Sequence, residues 1–373
     1  MSTMKALTYL GPNSIKWQSV AKPVVLKATD VIGKILATTI CGTDLHIWKG
    51  DVPESTAIAE KQKGRGLILG HEGIIQVESV GSAVKNFKPG DIAIASCISA
   101  CGECHYCKNN LQAHCTQEGS SGWILGHEID GTQAEYVRLP FGDHSLYHAP
   151  KGVSYDSLLM LSDILPTAYE VGVLAGDVKE GDSVAIVGIG PIGLSALISA
   201  KAKNPSEVIA IDMDDARLEV AKRYGATKTI NPNKENVKEK VMEYTAAANA
   251  NLSSLDAKKP GVDVAIECVG VPATFEMCED LIAPGGAVAN VGVHGKAVEL
   301  KLQDLWIKNI KITTGLVSAY STAELLQKVS SGVIDPAPLV THHFKLNEIE
   351  KAYDIFKNAA ENKAIKMVLT NEE

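Results

Sequence analysis

The sequence lacks several features that mark common functional classes. Basic residues are not in excess, because 36 lysines and arginines stand against 44 aspartates and glutamates, a formal net charge of −8. That balance argues against a general nucleic-acid binder and against binding to an anionic membrane surface. The N-terminal stretch MSTMKALTYLGPNSIKW has no apolar signal region, and no uncharged apolar run approaches the length of a membrane span. We therefore expect a cytoplasmic protein with neither a nucleic-acid nor a membrane partner.

The residues that are present predict a two-domain α/β protein. Hydrophobic residues make up 45% of the 373 residues, enough for substantial cores. The first part has short β-like runs, such as VIGKILATTI and GIIQVESVG, separated by glycine and proline turns. From about Lys179 strand and helix patterns alternate, which favours a doubly wound parallel sheet. The C-terminal stretch NEIEKAYDIFKNAAENKAIKMVL predicts an amphipathic helix followed by a strand.

A glycine-rich turn follows the first strand of the alternating part. G-I-G-P-I-G runs from Gly188 to Gly193, after the strand VAIV and before a helix, which is the context of a dinucleotide-binding turn. The first glycine permits the tight turn, the second lets a pyrophosphate approach, and the third permits close packing of helix and strand. The second strand ends in Asp212. Its carboxylate can accept hydrogen bonds from both hydroxyl groups of a ribose, and its charge repels a 2′-phosphate. We therefore favour NAD over NADP.

Each of these residues also has an ordinary structural explanation. The glycines alone fit a simple turn, and Asp212 could cap the following helix. Arg217 is either a contact to the adenosine side of the cofactor or a solvated charge on a helix. The order of strand, turn, helix and acidic residue favours the dinucleotide site.

Four of the eight cysteines form a compact group with the spacing C-x2-C-x2-C-x7-C. This spacing lets a looped backbone wrap around one zinc ion. A dithiol redox pair fits three interlocked cysteines poorly, and an iron–sulfur cluster usually has a different fourth spacing and a following proline. Four thiolates leave no open position, so we predict a structural zinc that holds a loop. The ligands are Cys101, Cys104, Cys107 and Cys115, whereas Cys97 is expected to be a small buried residue.

A second group of possible metal ligands is scattered along the chain. Cys41 lies in I-C-G-T-D-L-H, His71 and Glu72 lie in L-G-H-E-G, and Asp163 lies in L-S-D-I-L-P-T-A-Y. Singly each signal is weak, since a lone histidine is more often structural and a cysteine can be a small buried residue. Together they offer S, N and O donors, and three protein ligands leave one position open for water or substrate. The sequence alone does not show that they converge.

These motifs occur in the order found in the zinc-containing medium-chain alcohol dehydrogenases, and the chain resembles that family over nearly its whole length. The segment D-x-x-x-T-A-Y is most similar to the secondary-alcohol (isopropanol-type) branch, where an aspartate replaces a cysteine as the third ligand. The resemblance implies a GroES-like, β-rich catalytic domain over residues 1–166 and a Rossmann NAD-binding domain over residues 167–317. It also implies that residues 318–373 return to the catalytic domain.

The resemblance further implies a role for each candidate residue. Cys41, His71 and Asp163 would bind a catalytic zinc, and Glu72 is an adjacent carboxylate able to enter the coordination shell. The four clustered cysteines would bind the structural zinc. The implied cofactor contacts are Gly188, Gly190, Pro191, Ile192, Gly193, Asp212, Arg217, Val269, Val291, Val293, Gly315 and Val317.

The same resemblance implies a proton pathway and a substrate pocket. Thr43 would take the hydroxyl proton of the substrate, and His46 would pass it towards solvent. An ordinary turn residue and a surface histidine are the alternatives. Thr43, Trp48 and Trp123 would line the pocket, although each tryptophan could instead be a packed structural residue.

We therefore predict an enzyme that transfers hydride between a secondary, or small primary, alcohol or ketone and NAD(H). It would hold one catalytic and one structural zinc per chain. A polyol, butanediol, threonine or formaldehyde dehydrogenase of the same family is the alternative. A non-catalytic scaffold that binds zinc and nucleotide is the remote alternative.

Two features leave the identity of the substrate open, and a third concerns assembly. The complete cysteine group and Asp212 depart from some bacterial members of the secondary-alcohol branch, which lack the group and use NADP. The polar stretch 245–261 predicts a helix end and a surface loop that is longer than usual in the family. WIKNIKITTGL resembles an edge strand that pairs across a dimer, which predicts a homodimer or a homotetramer.

Overall fold

The computed structural model describes residues 2–117, 122–249, 253, 258 and 260–371. The surface loop predicted after residue 249 lies largely outside this part of the chain. Within the described part there are sixteen β-strands. They are β1 (Thr3–Gly11), β2 (Ser14–Ala21), β3 (Val31–Thr38), β4 (Leu67–Ile68), β5 (Gly73–Val80), β6 (Ile92–Ala95), β7 (Tyr136–Leu139), β8 (Leu146–His148), β9 (Ser183–Val187), β10 (Glu207–Ile211), β11 (Lys228–Ile230), β12 (Val262–Glu267), β13 (Ile282–Asn290), β14 (Lys311–Thr314), β15 (Val340–Lys345) and β16 (Lys366–Thr370).

The same described ranges contain thirteen α-helices, and a π-helix occupies Ala168–Leu174. None of them, over those ranges, combines the length and the apolar character that a membrane span needs. They are α1 (Gly42–Lys49), α2 (Pro53–Lys61), α3 (His105–Lys108), α4 (Gly142–Ser145), α5 (Tyr155–Met160), α6 (Ile164–Thr167), α7 (Pro191–Lys201), α8 (Asp215–Arg223), α9 (Val237–Asn249), α10 (Pro272–Leu281), α11 (Leu302–Leu305), α12 (Thr322–Ser330) and α13 (Ile349–Lys357).

Residues Thr167–Val317 form one of two compact units. Its six strands lie in the order β11-β10-β9-β12-β13-β14, and every neighbouring pair is parallel. Counted within the unit this is 3-2-1-4-5-6, the strand order of the Rossmann fold. The central strands β9 and β12 are short apolar runs that are almost entirely buried, as parallel sheets covered by helices require. The predicted doubly wound parallel sheet is confirmed.

The strand order of this sheet also indicates where a ligand would bind. From β9 the chain continues to β10 and β11 on one side of the sheet, and it then returns to place β12 on the other side of β9. The strand order therefore changes direction between β9 and β12. In open parallel sheets ligands bind at the carboxyl ends of the strands beside such a point. The glycine turn lies there, between the end of β9 and the start of α7.

The other unit joins Met1–Pro166 to Ser318–Glu373. It contains a three-stranded antiparallel sheet, β2-β1-β4, and a seven-stranded sheet. The second sheet runs β15-β16-β3-β5-β6-β8, and β7 also pairs with β3. Only β15 and β16 pair in parallel in that sheet, as far as the structure describes it. The β-rich architecture predicted for this part of the chain is confirmed.

The C-terminal segment completes the core of this second unit. β16 pairs antiparallel with β3, and α13 packs on the N-terminal strands. Tyr353 of α13 and Met367 of β16 are buried in the same hydrophobic cluster as Leu7 and Ile47. The predicted amphipathic helix and following strand are confirmed at the C-terminus. Side chains from the end of the chain therefore reach the interior formed by its first third.

Candidate metal centres and cofactor site

The four clustered cysteines are brought together by two short helical turns. Cys104 immediately precedes α3, Cys107 lies within it, and Cys115 follows the 3-10 turn Gln112–His114. The Cys107 sulfur lies 3.5 Å from that of Cys104 and 3.9 Å from that of Cys101. All four sulfur atoms lie within 4.8 Å of one another. The structure thus assembles the predicted set, while Cys97 is a separate buried residue.

These sulfur distances fit a zinc ion. A tetrahedron with Zn–S bonds of about 2.3 Å separates the sulfurs by about 3.8 Å. A disulfide would require about 2.05 Å, and none of the eight cysteines, all of them within the described residues, forms a disulfide. Backbone N–H groups of Cys107 and Thr116 lower the pKa of Cys104 to about 5, whereas burial raises that of Cys107 to about 12. Close thiolates repel one another, and a bound dication would remove that repulsion.

The scattered candidates also converge. Cys41 immediately precedes α1, His71 and Glu72 immediately precede β5, and Asp163 immediately precedes α6. One donor atom from each of the four residues lies within 4.8 Å of the others. Asp163 Oδ2 is 3.3 Å from His71 Nε2 and 3.7 Å from Cys41 Sγ. Sequence separations of up to 122 residues are thus closed by the β-rich unit.

The distances within this second set also fit zinc. Tetrahedral bonds of about 2.0–2.3 Å separate nitrogen and oxygen ligands by about 3.3 Å, and sulfur and oxygen ligands by about 3.6 Å. Burial lowers the pKa of His71, but Asp163, Cys41 and the charge of Asp44 outweigh burial and raise it well above the usual range. The negative charge that keeps a proton on this ring would equally attract a divalent cation in its place.

Asp44 is a buried neighbour of the set that the sequence analysis missed. Its Oδ2 accepts the backbone N–H of Cys41 at 2.9 Å, and its Oδ1 lies 3.7 Å from Nδ1 of His71. Burial raises the pKa of Asp44. A signal was available, because Asp44 stands three residues after Cys41, at the third position of α1, where acids commonly cap helix starts.

Glu72 is held by a partner that no motif indicated. Its Oε1 accepts a hydrogen bond from Lys366 Nζ at 2.6 Å, and both side chains are 1% exposed. Burial lowers the pKa of Lys366, but the charge of Glu72 outweighs burial and raises it. Glu72 Oε2 has no hydrogen-bond partner among the residues that the structure describes. One carboxylate oxygen is therefore neutralised and the other remains available beside the donor set.

The two residues of the expected proton pathway lie on α1. The Thr43 hydroxyl is 3.8 Å from the sulfur of Cys41. His46 is three residues further on, one helical turn away, and its side chain is 60% exposed. Its Nδ1 lies 3.0 Å from Asp51 Oδ2, a partner the sequence analysis did not name. Thr43 is thus at the donor set and His46 is at the surface.

The two tryptophans have defined packing partners. The Trp48 ring lies beneath Lys357 of α13, with Nζ 4.6 Å from the ring centroid. The Trp123 ring stacks on His127 at 4.0 Å between centroids and packs against the hydrophobic cluster that includes Ile47. Both rings therefore have a structural role, and any contact with substrate remains a proposal.

The glycine turn has the shape of a phosphate cradle. A Cβ at Gly190 would meet only Arg217 Nη1, at 4.0 Å, so the backbone faces open space. A Cβ at Gly193 would lie 1.8 Å from the carbonyl oxygen of Gly188, which explains the third glycine. Gly190 caps α7, and Pro191 occupies its first turn. The unpaired N–H groups of this helix start, those of Ile192 and Gly193, form the kind of site that binds phosphate.

Asp212 lies beside this turn and does not cap the next helix. Its Oδ2 accepts the N–H of Ile189 at 2.7 Å, and its Oδ1 accepts the N–H of Asp214 at 2.9 Å. The N-cap of α8 is Asp214, whose side chain accepts the N–H of Ala216. Arg217 Nη1 is 3.8 Å from Asp212 Oδ2, so its charge is already balanced. The capping alternative for Asp212 is therefore wrong.

The remaining expected cofactor contacts lie after the carboxyl ends of three neighbouring strands. Val269 follows β12, and its side chain lies so close to Gly188 that a Cβ there would meet it at 2.3 Å. Val293 follows β13, with its backbone against Gly270. The others are placed along the same edge: Val291 after β13 and Gly315 and Val317 after β14.

Comparison with known proteins agrees with this geometry. Residues 27–151 match the alcohol dehydrogenase GroES-like domain, and residues 191–331 match the zinc-binding dehydrogenase family. An alcohol dehydrogenase of Cupriavidus necator is 33% identical, with 95% of each chain covered. The structure of zinc dependent alcohol dehydrogenase 2 from Streptococcus pneumonia is 49% identical, covers 99% of both chains and superimposes with a TM-score of 0.87.

A further solved structure, an alcohol dehydrogenase from E. coli CFT073 complexed with NADH, is 25% identical. It covers 99% of this chain and 100% of its own, with a TM-score of 0.85. The two domain matches, the two groups of potential metal ligands and these relatives all indicate the same family. The chain belongs to the zinc-type medium-chain alcohol dehydrogenase family and is a zinc-dependent oxidoreductase that uses a nicotinamide dinucleotide.

Proposed function

We propose that the protein oxidises a secondary alcohol to a ketone, and reduces the ketone in reverse, with NAD(H). The observation that carries this proposal is the convergence of Cys41, His71 and Asp163 at ligand distances, with the Thr43 hydroxyl alongside. A carboxylate as third ligand is the feature that resembles the secondary-alcohol branch. Residues 1–166 and 318–373 would form the catalytic domain, and residues 167–317 the nucleotide-binding domain.

Cys41, His71 and Asp163 would hold a zinc ion that would supply Lewis-acid chemistry at the substrate oxygen, and the glycine turn would hold a nicotinamide cofactor that would supply hydride-transfer chemistry. With only three protein ligands, the site would stay open to the substrate. Thr43 Oγ1 accepts the hydroxyl proton and donates its own onward. His46 exchanges that proton with solvent, and Asp51 orients its ring through Nδ1.

The second proposed zinc, in the cysteine group, has a structural role. The four sulfurs of Cys101, Cys104, Cys107 and Cys115 would hold the ion between them and would leave no position for a substrate. In the described part of this loop the regular structure is short, because α3 has only four residues and the next helical turn only three. Binding of the metal would therefore contribute directly to the folding of this lobe.

NAD is proposed as the cofactor in preference to NADP. Asp212, Asp214 and Asp215 place three carboxylates after β10, where the adenosine ribose binds in this fold. Arg217 lies 3.8 Å from Asp212 and 4.0 Å from Asp214, so it is shared between two acids. A 2′-phosphate would meet negative charge and no unbalanced cation from this arginine.

A homo-oligomer built through β14 is proposed for the assembly. β14 is the edge strand of its sheet in the described chain. Trp306 and Ile307, just before it, are 71% and 68% exposed, and Leu316, after it, is 49% exposed. An apolar surface along an unpaired edge strand favours pairing with a second copy. The molar mass in solution, measured by light scattering, should be that of a dimer or a tetramer. The molar mass of a monomer would contradict the proposal.

A cytoplasmic location is also proposed. It is supported by the state of the cysteines, since none of the eight, all within the described residues, forms a disulfide even where four lie together. A reducing compartment keeps such thiols available for metal.

Trp48 and Trp123 are proposed as walls of the substrate pocket, where an apolar lining would favour small or medium apolar alcohols.

The experiment that tests the proposed function compares two alcohols. NADH formation from NAD is followed with propan-2-ol and with ethanol at matched concentrations, with a chelator-treated sample as control. We expect faster oxidation of propan-2-ol and loss of activity with the chelator. Faster oxidation of ethanol would contradict the secondary-alcohol proposal. No turnover of either alcohol by zinc-replete protein would direct the search to polyols, threonine or formaldehyde.

A further inference from the structure

A chain of buried polar side chains runs from the C-terminal helix to the proposed catalytic metal site. The Tyr353 hydroxyl on α13 donates to Gln133 Oε1 at 2.9 Å. Gln133 Nε2 donates to Asp44 Oδ2 at 3.0 Å and to the carbonyl oxygen of Thr39 at 3.1 Å. Tyr353 and Gln133 are fully buried, and Asp44 is 1% exposed. Three residues separated by up to 309 positions thus form one hydrogen-bonded unit.

The chain of bonds ends on two proposed zinc ligands. Asp44 Oδ2 accepts the backbone N–H of Cys41, and Asp44 Oδ1 faces Nδ1 of His71 at 3.7 Å. Within the described part of the protein, Oδ1 has no hydrogen-bond partner of its own. A carboxylate this near favours the imidazole with a proton on Nδ1, which leaves Nε2 for the metal.

The position of Gln133 is fixed from two sides. Its amide oxygen must face the tyrosine and its amide nitrogen must face the carboxylate, so only one orientation satisfies both partners. A Cβ at Gly70, which has a φ of +91°, would meet Cγ of Gln133 at 2.6 Å. The glutamine therefore packs directly on the backbone that precedes His71. A displacement of Gln133 would therefore move Asp44 and also Gly70, the residue before His71.

A purely structural explanation does not account for this arrangement. Burying a carboxylate and an amide is unfavourable unless both are hydrogen-bonded, and apolar side chains of similar volume would fill the same space at lower cost. The surroundings of Tyr353 are otherwise apolar. The hydrogen bonds of this unit lead to Asp44, which lies beside both proposed ligands, and this points to a role at the metal site.

We propose that Gln133 and Tyr353 are positioning residues of the catalytic zinc site: they fix Asp44 so that it orients His71 and the backbone of Cys41. This inference rests on the proposed catalytic metal site. It makes the C-terminal helix, which contributes no ligand, part of the support for that site. Partners of this kind commonly change metal affinity or activity by about 10- to 100-fold when removed.

The test measures zinc release to a chelator from Gln133→Met and Tyr353→Phe. Gln133→Met keeps the volume and loses all three side-chain hydrogen bonds of Gln133, and Tyr353→Phe removes one hydroxyl. We expect release from the catalytic site to be about 10- to 100-fold faster in Gln133→Met and several-fold faster in Tyr353→Phe. Release from the four cysteines should not change, which provides a reference within each molecule.

The matched control is Tyr9→Phe. Tyr9 is fully buried in the same hydrophobic cluster as Tyr353, and its hydroxyl lies 2.9 Å from Thr56 Oγ1. It should lower the melting temperature about as much as Tyr353→Phe without changing zinc release. A Tyr353→Phe protein with the lowered melting temperature but the zinc release of the wild type would overturn the proposal.

Two further outcomes remain decisive. If Gln133→Met does not fold, the comparison of Tyr353→Phe with Tyr9→Phe still decides the question. A wild-type protein that holds only the zinc of the four cysteines would overturn the proposed catalytic site, and this inference with it. A wild type with two zinc ions and variants that release both at the wild-type rate would overturn this inference alone.

Discussion

At the scale of single residues, Asp163 is the proposed ligand on which the proposed substrate class depends. Its Oδ2 is shared between His71 Nε2 and Cys41 Sγ at distances that suit a metal. Asp163→Asn keeps the volume and removes the charge. We expect loss of the catalytic zinc, retention of the other, and a fall in turnover of about 100-fold or more. Zinc content per chain and NADH formation measure both effects.

The matched control for this variant is Asp156→Asn. Asp156 lies 2.9 Å from His343 in an exposed pair, so its loss should leave zinc content and turnover close to those of the wild type. Full zinc content in Asp163→Asn would mean that Asp163 is not a ligand.

Thr43 is the residue proposed to receive the substrate proton. Thr43→Val removes the hydroxyl and keeps the shape, so turnover should fall by about 10²- to 10⁴-fold while both zinc ions stay bound. Thr43→Ser, which keeps a hydroxyl at the same place, should retain most of the activity. Steady-state kinetics with metal analysis checks this, and an active Thr43→Val enzyme would remove Thr43 from the pathway.

Asp212 is the residue proposed to discriminate between NAD and NADP. Asp212→Asn retains an acceptor for the N–H of Ile189 or Asp214 and removes the charge. The ratio of kcat/KM for NAD to that for NADP should fall by about tenfold or more, equivalent to about 1.4 kcal/mol. Asp280→Asn, which breaks an exposed pair with Lys238 at the end of α10, serves as the control. An unchanged ratio in Asp212→Asn would exclude the ribose role.

At the scale of secondary-structure elements, the long periodic segments could be predicted and the short ones could not. The strand β9, the glycine turn and α7 follow from an apolar run, three glycines and a helical pattern. The two-residue strand β4 and the π-helix Ala168–Leu174 have no such pattern, because pairing partners and local packing decide them. The β-rich unit was therefore predicted as a class and not strand by strand.

The glycine turn supports a prediction at this same scale. A methyl group at Gly190 meets nothing closer than 4.0 Å, whereas one at Gly193 meets a carbonyl oxygen at 1.8 Å. Gly190→Ala should fold with nearly wild-type stability and bind NAD about tenfold or more weakly, because the methyl group occupies the cradle. Gly193→Ala should lose stability. Thermal melts and NAD titration separate the two, and normal NAD affinity in Gly190→Ala would contradict the cradle.

At the scale of the whole molecule, the site draws on both ends of the chain. Lys366 reaches Glu72 across 294 residues, and Tyr353 reaches Gln133 across 220. In the sequence, Lys366 and Gln133 look like ordinary polar surface residues, because a polar residue carries no local sign of a buried partner far away. The cysteine group could be found from its spacing, and the scattered ligands from the family resemblance. The residues that position those ligands could be identified only from the three-dimensional structure.

The cysteine group bears on the stability of the whole molecule rather than on turnover. Cys104→Ser removes one proposed ligand from a closed site in a loop whose described residues form only two short helical turns. The melting temperature should fall by roughly 10 °C, with zinc reduced to about one per chain. Turnover per folded molecule should stay near that of the wild type. Unchanged stability together with lost turnover would show that the group is catalytic, contrary to the proposal.

The most direct test of the central claim is an anomalous-difference map of a crystal of the zinc-replete protein, recorded at the zinc absorption edge. The account predicts two peaks in each chain. One would lie among the sulfurs of Cys101, Cys104, Cys107 and Cys115, and the other between Cys41 Sγ, His71 Nε2 and Asp163 Oδ2. A single peak at the four cysteines, with none at the second set, would contradict the account of a catalytic zinc in this protein.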